Sequence, residues 1–309
     1  MRLDDYDPND IDVGEARGSG GSGFGGFGGG GGGGLLFGLL PLIGSRFGCG
    51  GIVVVLLLLA VFGGLGNLGG MLGGGGGGQQ QVGPSSRSGD ASSVTQLCNA
   101  NGNAHAACNA FASAQNTWSA IFARQGEQFR KPGLRFFSRS GTSGCGAAQS
   151  AMGPFYCPTD HDIYLDTSFF DELASRFGAK GDFAQDYVIA HEFGHHIQNL
   201  LGTSDKVQQI QRSSGQTEGN AASVRLELQA DCYAGVWAAN NRGRLETGDI
   251  EEGMTAAHAI GDDTLQGQAG GRVVPDSFTH GTSAQRMRWL KRGLDSGDPA
   301  QCDTFNGAI

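Results

Sequence analysis

Residues 186–201 carry apolar side chains at Val188, Ile189, Phe193, Ile197, Leu200 and Leu201. That spacing predicts an amphipathic helix with one buried face. A second helix-favouring stretch, residues 225–237, continues to about Asn240. A third helix is expected over 104–124, with Phe111, Trp118, Ile121 and Phe122 turned inward and His105 at the surface or a cap. Residues 134–138 read as a strand, 141–146 as a turn and 162–166 as a second strand reached through 153–158. A helix capped at Thr167 or Ser168 follows to Phe177, with Glu172 in its first turns. Residues 202–220 are polar and rich in Gln, Ser and Gly, and read as a loop bordering a cleft. A helix is expected from Thr247 to about Ile260, with His258 in its core or on its surface. The turn at 261–264 has an acidic pair read as capping the next segment. A last helix starts at Thr282 or Ser283 and passes through Trp289 and Leu290. Few strands among many helices give an α+β class, mostly helical with a small sheet.

The first 93 residues follow another pattern. Residues 1–17 are acidic (Asp4, Asp5, Asp7, Asp10, Asp12, Glu15) and 18–34 are nearly all glycine, so 1–34 reads as a disordered tail. Residues 35–43 are apolar but short, and Pro41 interrupts them. The run 52–62 is uncharged and fully apolar, and its flanks extend it to bilayer length over 49–72. One transmembrane helix is the expectation; a signal sequence cleaved after a long leader and a buried helix are the alternatives. Residues 73–93 read as a flexible linker, so the globular domain is placed at 94–309. Arg46 precedes the span and the next basic residue is Arg87, which favours a cytoplasmic N-terminus and an extracytoplasmic C-terminal domain.

Charge and cysteine content narrow the setting. The 309-residue chain has a net charge of −9, which argues against a nucleic-acid partner. Its 57 glycines lie mostly before residue 80. Six of seven cysteines follow the apolar span, an even number that suits disulfides in an oxidising compartment. Six cysteines allow fifteen pairings. Proximity favours Cys98–Cys108 and Cys145–Cys157, leaving Cys232–Cys302. Reduced, buried cysteines are the alternative.

The chemistry concentrates on the two central helices. His191 and His195 are four apart and share a face, as two imidazoles on one metal ion require. Glu192 follows the first of them and can act as a base. His196 points about 100° away around the helix and stays outside the metal shell. Glu227 and Asp231 again share a face, amid Leu226, Leu228, Ala230, Cys232 and Tyr233. Glu227 would complete a two-His, one-Glu zinc set with one open position. Asp231 would hold the second nitrogen of a ligand imidazole. His161 reads as a turn residue.

His191-Glu-Phe-Gly-His195 followed by Glu227-Leu-Gln-Ala-Asp231 is similar to the gluzincin pattern. With Ser143-Gly-Cys-Gly146, Gly153-Pro-Phe-Tyr-Cys-Pro158 and the stretch 276–286, the chain resembles the bacterial neutral zinc metallopeptidases over residues 94–305. The resemblance implies a zincin-like domain, one Zn²⁺ per chain and a peptide or protein substrate. It implies that Glu192 takes a proton from the attacking water. It also implies a downstream transition-state stabiliser, His280 first and Arg286 second, and a substrate-binding strand edge within 155–166. Two other classes stay in view: a membrane-tethered binding or scaffold module with structural zinc, and a zinc amidase acting on cell-wall peptides.

Overall fold

The structure is a computed structural model that describes residues 1–16 and 90–309. The elements in chain order are β1 (Asp12–Glu15), α1 (Ala91–Cys98), α2 (Gly102–Gln125), β2 (Gly133–Phe136), β3 (Ser140–Ser143), β4 (Gly146–Gln149), β5 (Phe155–Cys157) and β6 (Asp162–Leu165). There follow α3 (Ser168–Ser175), α4 (Asp182–Leu200), α5 (Thr203–Ser213), α6 (Gln216–Asn240), α7 (Asp249–Ala259), α8 (Asp262–Gln268) and α9 (Ser283–Ser296). The class is α+β, mostly helical.

One sheet has the order β1-β2-β6-β5. β1, β2 and β6 run parallel and β5 closes the edge antiparallel to β6. β3 and β4 form a separate hairpin, so the stretch expected as a turn at 141–146 is a hairpin whose turn lies at 144–145. One main core joins Phe111 and Trp118 of α2, Leu134 and Ile163 of the sheet, Ile189 and Phe193 of α4, Leu228 and Trp237 of α6, and Leu290 of α9.

α6 runs through the centre, with its apolar residues buried on every side from Leu228 to Ala238, as suits a helix surrounded by others. It crosses α9 where Gly235 meets Gly293. A Cβ on Gly293 would lie 1.9 Å from the Cys232 carbonyl oxygen, and one on Gly235 2.1 Å from that of Leu290. It crosses α4 at Gly194, where a Cβ would come within 3.0 Å of the Ala230 carbonyl oxygen. Glycine at these positions sets the helix separation, and so the reach of each helix's side chains. The three expected disulfides form: Cys98–Cys108, Cys145–Cys157 and Cys232–Cys302. α9 starts with Thr282 and Gln285 in a reciprocal capping box.

Two expectations are corrected. Residues 202–220 are not a loop: Gly202 and Gly215 bracket α5, whose Lys, Gln and Arg residues are good helix formers. Val207 is buried there, and the single apolar stripe was too sparse to stand out. Residues 1–16 are not a disordered tail. Their acids find basic partners on the domain: Asp4 with Arg244, Asp10 with Lys131, and Asp12 with Arg135. Arg135, 3% exposed, holds Asp12 with two 2.9 Å bonds and Asp162 at 2.8 Å, tying three neighbouring strands together. Met1, Ile11 and Val13 are buried beneath. The expected glycine tail from 18, the apolar segments, the transmembrane span at 49–72 and the linker up to residue 89 lie outside the described residues. No helix among the described residues is long and apolar enough to cross a membrane.

Candidate metal centre

α4 presents His191 and His195 toward Glu227 of α6. His191 Nε2 lies 3.2 Å from Glu227 Oε2, and His195 Nε2 lies 3.6 Å from Oε1. The two rings are nearly perpendicular, with centroids 4.8 Å apart. One ligand atom from each of the three residues lies within 4.8 Å of the others.

Each imidazole is fixed from behind. His191 Nδ1 meets Asp231 Oδ1 at 2.8 Å. His195 Nδ1 meets Gln198 Oε1 at 2.8 Å. Carboxylate and amide oxygens accept only, so both Nδ1 atoms carry a proton. Nε2 of each ring is the atom turned toward Glu227, where its lone pair would be given to a metal ion. Gln198 is anchored in turn by donating to the Leu226 carbonyl at 2.6 Å and to Gln229 at 3.1 Å. The donor set therefore fits zinc: two imidazole nitrogens and a carboxylate, outer partners in place, and one position open.

Asp231 is fully buried and carries more than one histidine. It accepts from the Tyr187 hydroxyl at 2.6 Å and from Arg286 through Nε and Nη2, both at 2.9 Å. Arg286 is 2% exposed and also donates to the Ile260 carbonyl. The second candidate for transition-state stabiliser thus has its guanidinium engaged with Asp231 behind His191. The close packing of α9 on α6 at Gly235 and Gly293 brings the guanidinium onto Asp231. Tyr187 and Gln198 were missed in the sequence. Tyr187 had a usable signal, since it precedes His191 by four residues and shares its face.

The charges are set by these partners. Burial disfavours the His191 imidazolium, but the Asp231 carboxylate outweighs burial and raises the pKa to about 9. Burial would raise Asp231, and Arg286 with His191 bring it down to about 2 instead. Burial likewise opposes ionisation of Glu227, and His195 and His280 hold it well below the usual carboxylate range. Burial pushes the Tyr187 phenol well up, keeping it a donor.

Glu192 is 8% exposed, and its carboxylate makes no hydrogen bond among the described residues. It acts electrostatically on His195. His280 is near enough to Glu227 for each to shift the other's titration. His196 is turned away, as expected, against Phe129, Phe193 and Tyr156, with Nε2 on the Arg130 carbonyl at 2.7 Å. His161 is a turn residue with φ 66°, bonded to Tyr156 and Asn199. His258 is exposed on α7, and His105 lies at the surface of α2. A second carboxylate group, Asp182, Asp249 and Glu252, gathers at the head of α4. The Met1 ammonium pairs there with Asp182 at 2.7 Å and Asp249 at 3.1 Å.

The family profile described as "Putative neutral zinc metallopeptidase" matches residues 6–305. The uncharacterized protein YpfJ of Escherichia coli is 57% identical over 200 residues, covering 64% of this chain and 70% of its own length. The uncharacterized protein Rv2575 of Mycobacterium tuberculosis is 46% identical over 193 residues, covering 58% of this chain and 64% of its own. No solved structure matches at a significant level. A match over nearly the whole chain, including the N-terminal strand, shows that the chain belongs to the neutral zinc metallopeptidase family.

Proposed function

We propose that this chain is a zinc-dependent peptidase whose ion is held by His191, His195 and Glu227. The observation that carries the reading is the convergence of those three side chains within 4.8 Å, with both imidazoles locked from behind. Zinc held there would polarise a peptide carbonyl and lower the pKa of water at the open position. Glu192 accepts the proton of the attacking water and passes it to the leaving amine. Asp231 and Gln198 keep the Nε2 lone pairs aimed at the ion, and Tyr187 and Arg286 keep Asp231 in place. His280 donates to the developing oxyanion.

β5 is the edge strand beside α4, and its outer side has no strand partner among the described residues. An extended peptide pairs there by strand addition. β6 is flanked by β2 and β5, which narrows the expected edge from 155–166 to 155–157. A structural zinc would need four closed ligands; three candidate ligands gather here, which favours the catalytic reading over a scaffold. A cell-wall peptide amide would use the same ligands and base, and a panel containing both substrate types separates the two.

Three disulfides favour an oxidising, extracytoplasmic setting. Because β1 pairs with β2, residues 1–16 share a compartment with 90–309. A single pass at 49–72 would put these two parts on opposite sides, so a cytoplasmic N-terminus does not go with an extracytoplasmic domain. The ligand assignment is tested by metal analysis of full-length Glu227→Ala. Zinc stoichiometry should fall; unchanged zinc would remove Glu227 from the ligand set.

A further inference from the structure

We propose that Asp262 is a positioning residue that fixes His280 beside Glu227 of the metal triad. This rests on the peptidase reading and adds to it a residue that no spacing pattern marks. Asp262 opens α8 and is fully buried. A carboxylate in the first turn of a helix ordinarily serves that helix's own N–H groups. Asp262 instead reaches across to the segment before α9. Its Oδ2 accepts from the backbone N–H of Thr279 at 2.8 Å, His280 at 2.7 Å and Gly281 at 3.0 Å. Its Oδ1 lies 3.3 Å from His280 Nδ1, which also meets the Thr279 hydroxyl at 3.2 Å. The Asp262 N–H returns a bond to the Gly281 carbonyl at 2.9 Å.

Three successive N–H groups on one oxygen leave the 279–281 backbone little freedom. Asp263 extends the clamp by accepting from Ser283 N at 2.7 Å and Oγ at 2.8 Å. Asp262 thus ties down the 279–281 loop rather than capping its own helix, while Asp263 also accepts from the Thr264 N–H of that helix at 3.0 Å. The clamped loop lies on α6 beside Glu227. Gly281 has φ 90°, and a Cβ there would meet Val224 at 3.1 Å and Leu228 at 3.4 Å. The His280 ring is therefore held at Nδ1, while Nε2 makes no hydrogen bond among the described residues and is left to act on a bound peptide. A displacement of about 1 Å at such a group costs about a hundredfold in rate.

The test uses the full-length, zinc-loaded protein with Asp262→Asn, His280→Gln and the double variant. Asn keeps the volume and one acceptor for the loop. Each single variant should lower kcat about 10–100-fold with KM and zinc content unchanged, and the double variant should be no slower than His280→Gln alone. Effects that multiply, or a loss confined to zinc content, would overturn the proposal. A second readout needs no turnover. In spectra of protein labelled with ¹⁵N-histidine, His280 should show an Nδ1 proton that changes in Asp262→Asn; an identical His280 ring in both proteins would overturn it. A wild type that holds zinc but cleaves nothing would fail the peptidase reading, and the spectra would still decide whether Asp262 sets the ring.

Discussion

His191 and His196 sit five residues apart on the same helix, and both are buried, at 6% and 0% exposure. Their titration moves in opposite directions. Burial pulls both down, since an imidazolium loses its solvent. For His196 nothing reverses that. Its partners are the Tyr156 hydroxyl and the Arg130 carbonyl, both uncharged, and its pKa falls to about 4. For His191 the Asp231 carboxylate at 2.8 Å overcomes the same penalty, and the pKa rises to about 9. One face of α4 therefore gives its histidine a carboxylate partner, while the other gives burial and the like charges of His161 and Arg130, which add to the fall. The difference lies in what α6 and the strands bring to each face.

Removing Asp231's charge should abolish that contrast, with the largest effect of all. Asp231→Asn leaves the Arg286 guanidinium buried without a counter-charge, at a cost of about 3 kcal/mol or more. It should also weaken zinc binding about 10–100-fold by freeing His191. Urea unfolding and a competitive zinc titration measure the two effects. Unchanged values would show that the network is not what distinguishes the faces.

The neutral face gives a pH signature. The folded pKa of His196 lies below its ordinary 6.5, so the unfolded chain binds this proton first as pH falls. Stability from the neutral ring is full above 6.5 and is lost progressively toward 4. By pH 5 the loss should be about 2 kcal/mol. Unfolding of metal-free protein at pH 7 and pH 5 should show it, and His196→Gln should reduce it.

A smaller test acts on helix separation. Gly194→Ala brings a methyl to 3.0 Å from the Ala230 carbonyl oxygen. It should cost about 1–2 kcal/mol and weaken zinc binding, because α4 and α6 carry the proposed ligands separately. Calorimetry and zinc titration check both. The smallest effect is expected from Tyr156→Phe, which removes the hydroxyl shared by His196, His161 and Asn199. About 1 kcal/mol is expected, with zinc content untouched.

Much of this was legible in the sequence because it is local. The spacings of His191 to His195 and Glu227 to Asp231 are single helical turns, and two disulfide pairs are near neighbours. What was not legible joins distant residues without periodicity. Asp12 and Arg135 are 123 residues apart, so the acidic N-terminus read as a solvated tail. Asp262 and His280 are 18 apart, across α8 and the loop that follows it. Arg286 was singled out in the sequence, but its partner was not. Its target, Asp231, is 55 residues away and comes within reach only through the Gly235–Gly293 crossing.

The central claim is that α4 and α6 together hold a catalytic zinc with Glu192 as its base. The most direct measurement pairs metal analysis with a fluorogenic peptide-library assay on full-length wild type and Glu192→Gln. The account predicts one zinc per chain in both proteins and cleavage in wild type alone. Equal cleavage by Glu192→Gln, or no zinc in either protein, would contradict it.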